Sequence, residues 1–150
     1  VSASTAHSGQ VLELGLSGAF THDLTVLTEQ GLNAGMRLLA KEQIPTPESL
    51  LTLFEMARSL TFVSRLHRVD NEPIAVGYSY FLAFPHALSW EETGQEPTWA
   101  LLEKATHSAI SRSDIAIRLD FADRALAEVL SIAKNSPLFL LERTSWFENG

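Results

Sequence analysis

Residues 61–82 read TFVSRLHRVDNEPIAVGYSYFL, two alternating runs joined by Val69-Asp70-Asn71-Glu72-Pro73. Residues two apart on a strand share a face, so Val63, Arg65, His67 and Val69 project together and set two nitrogen-rich side chains inside an apolar margin. Guanidinium and imidazole so placed fit an anion, because Arg offers planar paired donors to carboxylate or phosphate oxygens and His titrates near neutral pH. A solvated edge carrying ordinary surface cations has the same spacing, and spacing alone leaves both readings open. A second anion-binding feature is the turn Ser17-Gly18-Ala19-Phe20-Thr21, where a helix start would present free backbone amides at the positive end of its dipole. Plain capping by Ser17 or Thr21 is the simpler role. Arg112 is a further candidate donor, and Trp99, Tyr78 and Tyr80 are candidates to line a pocket or to fill the core.

Other chemistry is sparsely represented. The chain has no cysteine, so disulfides, thiolate metal sites and cysteine nucleophiles are excluded. His7, His22, His67, His86 and His107 are scattered without ligand spacing, and no nucleophile elbow or glycine-rich phosphate loop occurs, which implies no metal and no cofactor. An acid–base enzyme would have to draw on His67, Glu72 and Glu142. The net charge of −7 argues against direct grip on a nucleic acid backbone. No apolar run approaches the roughly 20 residues that span a bilayer, and a cytoplasmic setting is expected.

The elements that must position these residues follow from periodicity. Phe20, Leu24 and Leu27 predict a helix over 20–30, with Gly31 as its stop. A short strand is expected over 37–44, then a helix opened by Thr46-Pro47 with Leu50, Leu51, Phe54 and Ala57 on one face. After the hairpin, 85–92 reads as a short helix or loop and 91–97 as a polar connection. A helix is predicted over 97–106 and a strand over 110–119. Asp120 is expected to cap a helix carrying Ala122, Ala125, Leu126, Val129 and Leu130, and Lys134-Asn135 to end it before a strand over 137–147. Hairpins interleaved with irregularly spaced helices predict an α+β fold, a central antiparallel sheet with flanking helices. The small, polar start VSASTAHSGQ reads as linker, and Asn149-Gly150 after a strand reads as a hairpin turn whose partner strand lies further on.

The order of these motifs resembles a known family. Arg65-Leu66-His67-Arg68-Val69-Asp70-Asn71-Glu72-Pro73-Ile74-Ala75 is similar to the central signature of the UTRA domain, the effector-binding half of HutC-subfamily GntR-type bacterial transcription regulators. Leu16-Ser17-Gly18-Ala19-Phe20-Thr21-His22-Asp23-Leu24, Pro97-Thr98-Trp99-Ala100-Leu101-Leu102, and Ala125 to Pro137 followed by Leu140-Leu141-Glu142-Arg143 resemble its flanking motifs.

The resemblance implies a chorismate-lyase-like fold paired into homodimers. Residues 1–15 would be the linker from an N-terminal winged helix-turn-helix domain that binds operator DNA. Residues 16–150 would be the effector-binding domain without its last strand. It also implies a small anionic metabolite, bearing phosphate, phosphonate or carboxylate, held by Ala19, Phe20, Thr21 and Arg65. His67 stands where the family carries a second arginine, and Gly77 where an acidic residue is common, which removes a sugar-type hydroxyl contact. Tyr80, Trp99 and Arg112 complete the expected lining, and Ser111-Arg112-Ser113 together with the 64–81 run looks most like phosphonate-uptake regulators of this family.

Overall fold

The computed structural model describes residues 33–82 and 89–148. Among the described residues, strands β1 (Ala34–Pro45), β2 (Ser59–Val69) and β3 (Glu72–Leu82) are followed by helices α1 (Trp90–Gln95) and α2 (Thr98–Thr106), then β4 (Ile110–Phe121), α3 (Arg124–Leu130) and β5 (Pro137–Phe147). All strand pairs are antiparallel, in a three-stranded sheet ordered β1-β2-β3 and a two-stranded ribbon β4-β5. This is the α+β class expected from the sequence. Among the described residues, no helix is long and apolar enough to cross a membrane.

The β2–β3 hairpin closes more tightly than its five-residue joint implied. Asp70 and Asn71 both take left-handed backbone angles, φ 49° and 69°, the geometry of a two-residue turn whose twist matches the strands. Asp70 also ties the hairpin to β1, since its Oδ1 accepts from the Asn33 backbone N–H at 3.1 Å. Pro73, which has no N–H to give the ladder, sits beside the register shift between His67 and Arg68. Upstream of that shift the register pairs Arg65 with Gly77 and Val63 with Ser79. β2 is the central strand, and its residues 63–66 are buried on both faces. Leu60, Val63 and Leu66 anchor the core with Phe81 of β3, Leu101 of α2, and Ala127 and Leu130 of α3.

Three local expectations are corrected. The helix predicted from Thr46-Pro47 shrinks to a 3-10 turn over Glu48–Leu50, followed by turns in which Glu55 and Met56 are left-handed. The ends of this connection are pinned across the β1–β2 pair, Pro45 opposite Ser59 and the Thr46 N–H bonded to the Arg58 carbonyl at 3.1 Å. Closure overrides the helical spacing of Leu50, Leu51 and Phe54. Trp90–Gln95 is helical, beginning in the stretch read as a short helix or loop and running on through most of the expected polar connection. The Thr93 hydroxyl donates to the Ser89 carbonyl at 2.6 Å, and Gly94 lies close against Leu38 of β1. Finally, Asp123 rather than Asp120 caps α3, accepting from the Leu126 N–H at 2.8 Å, because β4 runs two residues further than its alternation indicated. Asp120 instead accepts from the neighbouring Phe121 N–H.

The cap makes a sharp prediction. Asp123→Ala should lower stability in urea unfolding by about 1 kcal/mol, the usual worth of an N-cap, and Asp120→Ala by less than about 0.5. Equal losses would contradict the assignment.

Candidate functional site

Arg65 is 5 % exposed, an unusual state for a guanidinium. It lies on the central strand, and α1 and α2 close over it. Its Nε donates to the Thr93 carbonyl of α1 at 2.9 Å, and its Nη1 donates to the Thr98 hydroxyl at the start of α2. The Thr98 Oγ1 also lies 3.1 Å from the Ser79 hydroxyl on β3. Arg65 thus clamps both helices to the sheet. Among the described residues none of its contacts is a carboxylate, and its Nη2 finds no hydrogen-bond partner. Burial lowers its pKa to about 10, which leaves it cationic at neutral pH. A buried cation without a counter-charge, with one donor unpaired, is costly, and an oxyanion relieves both defects.

His67 shares Arg65's face of β2, as the period-two reading requires. Its Nε2 lies 3.2 Å from where a Cβ would stand on Gly77, so a side chain at 77 would press on the ring. Burial, and then repulsion from Arg65, push the imidazole below its usual pKa. It is neutral at pH 7 and stands beside a fixed positive charge.

The other expected residues are placed less uniformly. Tyr80 pairs with Phe62, which puts it on the sheet face opposite Arg65, its ring 5.2 Å from that of Phe62. Tyr78 lies on that same face, against Phe62 at 6.0 Å. Trp99 follows Thr98 in the first turn of α2, and its indole Nε1 is buried with no partner among the described residues. Arg112 belongs to the β4–β5 ribbon, where Asp114 takes two of its donors at 2.9 and 2.6 Å and Trp146 lies under its guanidinium at 4.8 Å. It contributes nothing to the Arg65 cluster. Ala19, Phe20 and Thr21 lie outside the described residues, as does the helix expected over 20–30. The acids required for acid–base chemistry are not gathered at His67: Glu72 is exposed at the tight end of the hairpin, and Glu142 is paired with Arg118 on the ribbon.

Three contributors escaped the sequence reading: Thr93, Thr98 and Ser79. Ser79 was accessible from hairpin arithmetic, since it falls two residues beyond Gly77 on Arg65's face. Thr93 gave no signal, because its value lies in a carbonyl. A shallow depression of about 450 Å³ beside α3, lined by Arg124, Glu128, Ser131 and Lys134 among others, shares none of Arg65's neighbours.

With this geometry in place, the comparisons with known proteins are direct. Residues 29–150 match the UTRA domain model, and the chain belongs to the UTRA domain family. It is 26% identical to the HTH-type transcriptional repressor NagR of Bacillus subtilis, the match covering 93% of this chain and 58% of that protein. The chain therefore spans little more than half the length of this curated relative. In fold it is similar to the effector domain of PhnF from Mycobacterium smegmatis, with TM-score 0.71, 20% identity and coverage of 84% of this chain and 79% of that one. Against a longer PhnF structure the TM-score is 0.74 at 22% identity, covering 91% of this chain and 60% of the other. The fold is the chorismate-lyase-like one of GntR-family effector domains, and the chain is a regulatory, effector-binding type of domain.

The lowered pKa of His67 has a measurable consequence. Because the folded value lies below the unfolded value of about 6.5, the unfolded chain binds the extra proton first as pH falls. The contribution of neutral His67 to stability is complete above pH ~6.5 and is lost as pH falls from there through the folded pKa. His67→Gln should flatten that part of the stability profile, and in Arg65→Met the His67 titration followed by NMR should move upward toward its ordinary value. A titration unchanged in Arg65→Met would show that the two groups do not interact.

Proposed function

We propose that this chain is the sensor domain of a bacterial transcription regulator and that its effector is a small oxyanion held by Arg65. One observation carries the reading: a buried guanidinium with no acidic partner among the described residues and one nitrogen left unpaired. His67 stands beside it as a conditional second cation. An arriving phosphate, phosphonate or carboxylate would offset the Arg65 charge and favour protonation of the imidazole, so affinity should rise as pH falls toward 6. Gly77 offers no side chain to a hydroxyl-rich ligand, which favours a compact acid over a sugar. The amides of Ala19 to Thr21 and the ring of Trp99 are proposed as the remaining contacts.

Regulation would use the clamp. Thr93 and Thr98 share Arg65 with the ligand, so engaging its free nitrogen biases the position of α1 and α2 against the sheet. A differential affinity worth roughly 1–3 kcal/mol between two arrangements is enough to change occupancy of a distant site several-fold or more. Operator binding would fall to an N-terminal domain in a longer protein, joined to this one through a linker over residues 1–15, with a further strand following β5. The net charge of −7 is consistent with a cationic DNA-binding surface lying elsewhere.

Calorimetric titration with inorganic phosphate, methylphosphonate and acetate tests this. Saturable binding of at least one of them should weaken by 10-fold or more in Arg65→Met, in line with about 1.4 kcal/mol or more for a charged hydrogen-bonded contact. Arg65→Lys, which keeps the charge and loses the fork, should fall between the two. Undiminished binding by folded Arg65→Met and Arg65→Lys would remove Arg65 from the site.

A further inference from the structure

Helix α2 is tied at both ends. At its start Pro97 supplies no side-chain cap, and Thr98 is fixed instead by Arg65, whose Nη1 donates to the Thr98 hydroxyl, and by the Ser79 hydroxyl at 3.1 Å. Toward its other end the Glu103 carboxylate accepts from the backbone N–H of Ile110, the first residue of β4, at 3.0 Å. Between these ties Leu101 is 2 % exposed and holds the middle of the helix in the core. Five residues of helix set Glu103 about 7.5 Å further along the axis than Thr98.

The joint between α2 and β4 has little slack. Residues 107–109 alone separate the two elements. His107 turns the chain there with a left-handed backbone, φ 51°, and the Thr106 hydroxyl donates back to the Leu102 carbonyl at 2.8 Å. Glu103 braces this joint from α2 to the strand, and a carboxylate accepting an N–H makes a bond roughly twice as strong as a neutral pair. Ile110 is in turn bound into both strands of the ribbon. It pairs with Phe147, the Glu148 N–H donates to the Ala109 carbonyl at 3.0 Å, and the Ser111 hydroxyl donates to the Trp146 carbonyl at 3.2 Å. The register shift between Ile110 and Arg112 falls at the same place, an irregularity of the kind at which a strand is re-aimed.

We propose that Glu103 is a positioning residue that couples the Arg65 site to the β4–β5 ribbon, with α2 as the lever between them. A change in how Arg65 shares its donors alters the hold on Thr98 at one end of α2. A hydrogen-bonded helix of nine residues passes such a displacement on as a rigid element. The Glu103 brace delivers it to Ile110, where the short joint cannot absorb it. Glu103 acts through Ile110 and not on a ligand. The input to the lever rests on the anion reading above, whereas the link from Thr98 to the ribbon stands apart from it.

Amide NMR on the chain tests the link without any ligand. Thr98→Val keeps the shape of the side chain and removes its acceptor, and should shift the signals of Ile110, Ser111 and Glu148, whereas Thr98→Ser should leave them in place. Combined with Glu103→Ala, the response to Thr98→Val should fall by about half or more, and combined with Glu103→Gln, which keeps an acceptor oxygen, it should largely return. Ala suits a helix interior, so Glu103→Ala is expected to fold. A merely local, structural role for Glu103 would leave the response to Thr98→Val unchanged. Titration with inorganic phosphate or methylphosphonate then tests the input, with Thr98 and the three ribbon amides shifting at one midpoint and Glu103→Ala removing the ribbon shifts while affinity holds. Ribbon amides that ignore Thr98→Val, or that answer it equally with and without Glu103, would overturn the proposal. Anions that leave Thr98 still while Thr98→Val reaches the ribbon would overturn the anion reading and support the lever.

Discussion

Arg65 is the constraint on which this domain turns. Its guanidinium sits on the central strand of the three-stranded sheet, and its Nε and Nη1 reach a carbonyl of one helix and a hydroxyl of the next. Removing a full charge from water costs several kcal/mol unless something opposes it, and two neutral acceptors oppose it only in part. Among the described residues the arrangement is therefore unfinished by its own electrostatics. Under the proposed function that opening is where a ligand would be felt by the fold.

His67 extends the same logic. Burial and Arg65 both disfavour its charged form, and in the proposed function an anion would reverse that balance. Gly77 bears on the ring because a Cβ there would stand 3.2 Å from the His67 Nε2, close enough that the imidazole would have to give. Two positions two residues apart on β2 and one facing glycine on β3 would thus give the proposed site one permanent and one conditional charge.

Much of this was legible in the sequence, and the failures have physical reasons. Strict alternation over 61–69 placed Arg65 and His67 on one face, and Asp-Asn between apolar runs marked the hairpin. Tyr80 stands apart from Arg65 because pairing with Phe62 sends it to the opposite face, a parity that can be carried through the turn from sequence. Arg112 was offered to a ligand although Asp114, two residues along the same strand, shares its face and takes its donors. The 46–57 connection has helical spacing but must return the chain between two paired strands. The helix at 90–95 has no apolar period to announce it, and its part in the site is made by a backbone carbonyl.

The most direct test observes the guanidinium itself. In nitrogen-15 NMR, titration with inorganic phosphate or methylphosphonate should shift the Arg65 side-chain signals saturably, together with the amides of Thr93 and Thr98. Arg65 signals that stay fixed while an anion binds elsewhere in the domain would contradict the account at its centre.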